Sequence, residues 1–158
     1  MLSSYPRART YPGRSLDEQG NRVFQTDANQ HTTKFAYDSL GRRVSRTLPM
    51  GQVEQFTYYD DGQLKTRTDF NGHTTSYAYD GVGRLVLRTP DAAFANEPAV
   101  SWTYTPNGSR QTMQDATGTT TYRYDSRDRL LVRSTPQGTL TYAYDVAGNR
   151  SSVKSDSG

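Results

Sequence analysis

The chain has 158 residues, 32% of them hydrophobic, with twelve tyrosines, no cysteine and a mean hydropathy of -0.90. Its 19 basic and 16 acidic side chains leave a formal net charge of +3 with the signs interspersed, which argues against the clustered basic footprint of a nucleic-acid binder. The missing cysteine excludes disulfides and thiolate metal sites, and no apolar run approaches the ~18 residues that span a bilayer as a helix.

So low a hydrophobic content ordinarily signals disorder, but disordered chains are poor in aromatics and this one is rich in them. Threonine and tyrosine together favour pleated, half-buried strands. Residues 1–15, "MLSSYPRARTYPGRS", contain no apolar core of a signal peptide and read as an N-terminal extension or a degenerate repeat. A repeat array then spans 16–151. It opens with a weak copy, "DEQGNRV" (17–23), followed by "FAYDSLGRRV" (35–44), "FTYYDDGQLK" (56–65) and "YAYDGVGRLV" (77–86). "WTYTPNGSRQ" (102–111), "YRYDSRDRLL" (122–131) and "YAYDVAGNRS" (142–151) complete it, and 152–158 form a tail or the start of another repeat.

The second aromatic recurs as Tyr37, Tyr58, Tyr79, Tyr104, Tyr124 and Tyr144, at spacings of 21, 21, 25, 20 and 20. The long spacing comes from an insertion, "PDAAFANEPAV", at 90–100. Two residues earlier stand Phe35, Phe56, Tyr77, Trp102, Tyr122 and Tyr142. Residues two apart on a strand share a face, so each pair marks one packed face. Asp38, Asp80, Asp125 and Asp145 follow the second aromatic, with Tyr59 and Thr105 in two copies. The turn glycine recurs as Gly20, Gly41, Gly62, Gly83, Gly108 and Gly148, with Asp128 in its place once. An aspartate that caps its own turn and a glycine that tolerates positive φ define a tight hairpin. Arg84 and its counterparts open the return strand. A second turn signal ("MG" at 50–51, "NG" at 71–72, "TG" at 117–118, "QG" at 137–138) closes each unit.

Turn signals about every ten residues, with no helical period, predict an all-β fold: a continuous antiparallel meander of roughly twelve to fourteen short strands. One place after the turn-exit residue stands a column of leucine and arginine: Arg22, Arg43, Leu64, Leu85, Arg110, Leu130 and Arg150. Aromatic rows in such a meander lie about 9–10 Å apart. This column is expected to fill the gap, leucine by packing on the rings and arginine by cation–π contact.

"YxYDxxGR(L)" followed by "G(x)TxxYxYD", at a period near 21, resembles the YD repeat of the Rhs family over residues 16 to 151. Its members include bacterial Rhs polymorphic toxins, the C components of Tc insecticidal toxins and the teneurins. The resemblance implies a β-sheet strip that curves or spirals into a hollow shell, which in bacterial members encloses a toxin polypeptide. The family's autoproteolytic segment, spike-binding module and toxin domain are not found in these residues, so the resemblance implies a shell segment or an orphan module. It also implies secretion or display at the cell surface, as part of a larger protein or by a non-classical route.

No residue set reads as catalytic, cofactor-binding or metal-binding. The Asp column would suit calcium, but Tyr59 and Thr105 interrupt it and turn capping accounts for it. His31 and His73 stand two repeats apart, about 19 Å in a regular sheet, too far to share an ion. No G-x-S-x-G elbow or phosphate loop is present. The alternating Tyr and Arg could stack on sugar rings, so a carbohydrate-binding or adhesion module is the alternative to a non-enzymatic shell segment. The expected partners are neighbouring repeats or a second copy through the sheet edges, an enclosed toxin polypeptide, or glycans.

Overall fold

The computed structural model describes residues 9–11, 13–94 and 96–156, and all regular structure among them is β-strand. Two compact units divide the chain, Met1–Ser76 and Tyr77–Gly158. The first holds β1 (Arg9–Tyr11), β2 (Arg14–Leu16), β3 (Arg22–Thr26), β4 (Thr32–Tyr37), β5 (Arg43–Thr47), β6 (Val53–Tyr58) and β7 (Leu64–Thr68). β8 (Thr74–Tyr79) crosses the division. The second unit continues with β9 (Leu85–Thr89), β10 (Val100–Tyr104), β11 (Arg110–Asp115), β12 (Gly118–Tyr124), β13 (Leu130–Thr135), β14 (Gly138–Tyr144) and β15 (Arg150–Asp156). Sheet order equals chain order throughout, an open antiparallel meander. The fifteen strands exceed the expected twelve to fourteen because β1 and β2 lie before the first registered turn.

The repeat length follows from the turn that closes each unit. In the 21-residue repeats that turn is wide: Leu48 N donates to Gln52 O and Gly51 N to Leu48 O, and Asp69, Gly72 and His73 repeat the pattern. In the 20-residue repeats a two-residue loop suffices, with Asp115 paired to Gly118 and Thr135 to Gly138. The second class of turn sits close to its neighbour. A Cβ on Gly118, at φ 114°, would meet Pro136 Cγ at 2.7 Å, so any side chain there is strained and must displace the proline.

Each YD hairpin with a described register carries a β-bulge, which strict alternation did not anticipate. In β4–β5, Ala36 faces Ser45 but Tyr37 faces Arg43, leaving Val44 unpaired. The same slip leaves out Val23, Lys65, Gln111, Leu131 and Ser151 in the β2–β3, β6–β7, β10–β11, β12–β13 and β14–β15 pairs. One extra residue inverts the side-chain alternation beyond it. Arg43 and Arg46, three apart, therefore share the aromatic face, opposite Tyr37 and Phe35. That face carries Arg67 opposite Phe56, Met113 opposite Trp102, and Arg133 opposite Tyr122 as well. The other face is small and polar: Ala36 with Ser45, Thr57 with Thr66, and Thr103 with Thr112, the last two pairs sharing hydroxyl hydrogen bonds of 2.6 and 2.7 Å.

No hydrophobic side chain among the described residues is fully buried; only Ser15, Glu54 and Thr120 are. The rings of the aromatic face are half-covered by guanidinium and leucine neighbours in place of a second layer.

Candidate functional site

The YD turn is a reversed chain held at both ends. In the copy at 38–42, Asp38 N donates to Arg42 O at 2.9 Å and Gly41 N donates to Asp38 O at 3.0 Å. The Asp38 carboxylate accepts from the N–H of Leu40 and of Arg42 through Oδ1, and from Arg42 Nε through Oδ2 at 2.7 Å. Asp80 with Arg84 and Asp125 with Arg129 repeat this geometry, and in the last copy Asn149 takes the place of the arginine beside Asp145. Where Thr105 replaces aspartate, its hydroxyl accepts from Ser109 N at 3.1 Å. Gly41, Gly62, Gly83, Gly108 and Gly148 all adopt positive φ, and Asp128 reaches the same region at 57°.

The turn-exit arginine also reaches into the next repeat. Arg42 lies over the Tyr58 ring at 4.8 Å and donates through Nη1 to Tyr59 O at 2.9 Å. Arg84 does the same with the Tyr104 ring at 4.8 Å and Thr105 O at 3.2 Å, and Arg129 lies over Tyr144 at 4.6 Å. In return, the second tyrosine donates to the carbonyl that begins the previous return strand, next to the bulge. Tyr58 donates to Arg43 O, Tyr104 to Leu85 O, Tyr124 to Arg110 O and Tyr144 to Leu130 O, at 2.7 to 2.9 Å. Burial pushes the Tyr124 hydroxyl above its ordinary value of 10.0. One arginine thus joins its own aspartate to the ring and backbone of the following copy. The lock persists across the insertion, whose residues 90–94 and 96–99 lie between β9 and β10.

The column expected to fill the gaps between rings does so in part. Arg43 lies over Phe56 at 4.8 Å and Arg110 over Tyr122 at 6.0 Å. The contacts to the second tyrosines come from the residue before it, because each closing turn steps the strands and brings the turn exit alongside the next ring. Tyr37, Tyr77, Tyr79, Trp102, Tyr122 and Tyr142 lie on their strands as the i, i+2 pairs predict, and Trp102 packs across from Met113.

Sequence reasoning did not single out Glu54. It is 3% exposed, and Arg67 Nη2 approaches it at 2.7 Å and Arg46 Nε at 3.4 Å. Arg46 faces Glu54 directly across β5–β6 and also lies over the Phe70 ring at 4.7 Å. The signal was hidden by the bulge, which turns Arg46 and Arg67 to this face.

Among the described residues no group of three His, Cys, Asp or Glu could hold a metal. His31 and His73 lie in closing turns with Nδ1 at 3.4 and 3.6 Å from Asp27 and Asp69. No helix among the described residues is long and apolar enough to cross a membrane.

Two tests bear on this arrangement. Tyr58→Phe should lower stability by about 0.5–1.5 kcal/mol, the net value of one hydrogen bond, read from the urea midpoint. The second test is acid. The N–H of Arg84 holds the Asp80 carboxyl below the ordinary aspartate value of 3.8, and the N–H groups of Arg129 and Asn149 do so for Asp125 and Asp145. Around Asp38, burial raises the value and the hydrogen bonds from Arg42 outweigh it. Folded values below unfolded ones mean that the stabilisation is complete above the unfolded value and is lost as pH falls through the folded values. The melting temperature should therefore hold steady down to about pH 5 and fall below about pH 4. Replacing Asp38, Asp80 and Asp125 with Asn should flatten that fall; an unchanged acid limb would show that other groups set it.

Residues 17–53 and 58–93 match the family model described as RHS Repeat. No curated protein matches the chain in sequence. Among solved structures, the crystal structure of TcdB2-TccC3-Cdc42 is similar over 91% of this chain with 21% identity and a TM-score of 0.77. The Photorhabdus luminescens Tc holotoxin pore with the TccC3-D651A mutation gives the same values, and TcdB2-TccC3 without its hypervariable C-terminal region gives 0.78 at 21% identity. The chain spans 9% of the length of each of these proteins, and the likeness shows a shared fold.

Proposed function

We propose that this chain, a member of the RHS/YD-repeat family, is a non-enzymatic wall segment of a shell that encloses a toxin polypeptide for delivery to other cells. The observation that carries this reading is the inter-repeat lock. The turn aspartates, turn-exit arginines and second tyrosines that would otherwise suggest chemistry are engaged in holding one repeat to the next. The match to Tc toxin components supports the enclosing role, and secretion or display at the surface as part of a longer protein goes with it.

The partners on this reading are further repeats, joined at the sheet edges, and the enclosed polypeptide. All seven residues of β15 are exposed, and an edge strand offers an unpaired row of backbone donors and acceptors. The isolated chain should accordingly self-associate; a monomer in light scattering at every concentration would count against open edges. Enclosure is tested by limited proteolysis of the natural gene product that carries this segment. An internal polypeptide protected until denaturation supports the reading, and its digestion in the native protein overturns it. A second reading, a carbohydrate-binding or adhesion module, draws on the half-covered rings and arginines of the aromatic face. Tyrosine-dependent binding on a glycan array would favour it.

A further inference from the structure

Six arginines hold a carboxylate, and two others line a pocket of the first unit. Arg42, Arg46, Arg67, Arg84, Arg88 and Arg129 each pair with a carboxylate. Among the described residues Arg22 and Arg43 form no ion pair, and both line one pocket of the first unit, together with Phe35 and Tyr37. No acidic side chain lines that pocket. Arg22 Nη1 donates to Gln25 Oε1. Arg43 faces Tyr37 across β4–β5 while its guanidinium lies over Phe56, which fixes its plane. Two guanidiniums lining one pocket with no acidic neighbour leave it positive, and an anion seated there would be favoured.

We infer that the Arg22–Arg43 pocket seats a carboxylate from an acidic side chain of a polypeptide lying extended along β4. A guanidinium presents a planar fork of donors that matches a carboxylate, which favours this head group. The run of the surface selects the kind of molecule behind it. Past Phe35 the same face continues as a groove lined by Gln25, Thr33, Arg46, His31 and Asp27. A chain of regularly spaced anions, whether nucleic acid or polyuronate, would set a negative charge beside Asp27. A polypeptide can place its acid at Arg22 and Arg43 and a neutral or basic residue at Asp27. This inference rests on the enclosing reading and adds to it that the aromatic face is turned toward the enclosed chain.

The test uses the purified chain and a labelled ten-residue peptide with two adjacent glutamates at one end, its glutamine counterpart, an oligogalacturonate and a single-stranded DNA oligomer. The glutamate peptide should bind roughly tenfold more tightly than the glutamine peptide, an advantage that salt weakens. Arg22→Gln with Arg43→Gln should reduce it to the level of the glutamine peptide, and Arg22→Gln alone, at an exposed residue, should remove much of it with the fold intact. Arg150→Gln, outside the pocket, should leave it unchanged. Equal binding of the two peptides, indifference to the Arg22 and Arg43 variants, or tighter binding of the uronate or DNA would overturn the inference. Failure here alongside a protected polypeptide in the gene product would remove only the pocket's role. Binding here alongside digestion there would remove only the enclosure.

Discussion

Glu54→Leu should destabilise the first unit by about 2–3 kcal/mol, the largest effect expected from a single side chain that touches no turn. The carboxylate is buried while its arginine partners keep 35% and 48% of their side-chain surface exposed. Removing it leaves two guanidiniums close together without their anion. Water reaches both, which holds the cost below the 3–5 kcal/mol typical of a fully buried broken pair. The sign of the second step separates this explanation from lost packing. Replacing all three, with Arg46→Met and Arg67→Met added, should recover most of the loss, because a fully apolar cluster carries no desolvated charge. Urea unfolding of the single and triple variants reads both steps; a triple variant weaker than the single would contradict the charge account. Thr33, Thr75 and Thr120 stand two residues before their own first aromatics, as Glu54 does. The carboxylate is therefore particular to one copy.

Gly62→Val should cost about 1–3 kcal/mol, because a β-branched residue is forced to a backbone angle that L side chains rarely adopt. Gly62 has φ of 91°, and its N–H donates to Tyr59 O at 2.9 Å to close the turn. A Cβ there meets no other atom within 4 Å, so the cost is conformational and not steric crowding with neighbours. The chain contains its own control. Asp128 occupies the equivalent place at φ 57°, and Asn107 Nδ2 donates to its carboxylate from the preceding turn at 3.1 Å. Gly62→Asn should accordingly cost less than half as much as the valine, since Asn and Asp tolerate the left-handed region. Thermal melts of the two variants give the comparison, and equal losses would point to something other than backbone strain.

Much of the fold was legible because the repeat states it several times over. Tyr77 and Tyr79, Asp80 and Gly83 carry period two, turn chemistry and a left-handed residue in a single stretch, and their siblings repeat it in register. The aspartate column was legible as turn capping for the same reason. The bulge was not legible. A sequence shows that Arg43 and Arg46 are three apart, and strict alternation sends them to opposite faces. Only the slipped pairing at Tyr37 brings both to the rings, and with them the partners of Glu54. The step between repeats was hidden as well. It depends on how each closing turn offsets its strands, and it decides that Arg42 meets Tyr58 while Arg43 meets Phe56. The expected column does reach the first aromatics at Phe56 and Tyr122, but the second tyrosines are met by the residue before it.

The central claim is that the second tyrosine, the turn-exit arginine and its aspartate join one repeat to the next. A double-mutant cycle on Arg84 and Tyr104, which belong to consecutive repeats of the second unit, tests it most directly. Arg84→Gln and Tyr104→Leu should each lower stability, and their combination should cost less than the sum by about 0.5–1 kcal/mol, the coupling of a partly exposed cation–π pair. The same cycle on Arg84 and Tyr144, three repeats apart, should give additive losses. Additivity for Arg84 and Tyr104 would contradict the lock and with it the architectural account of the repeat.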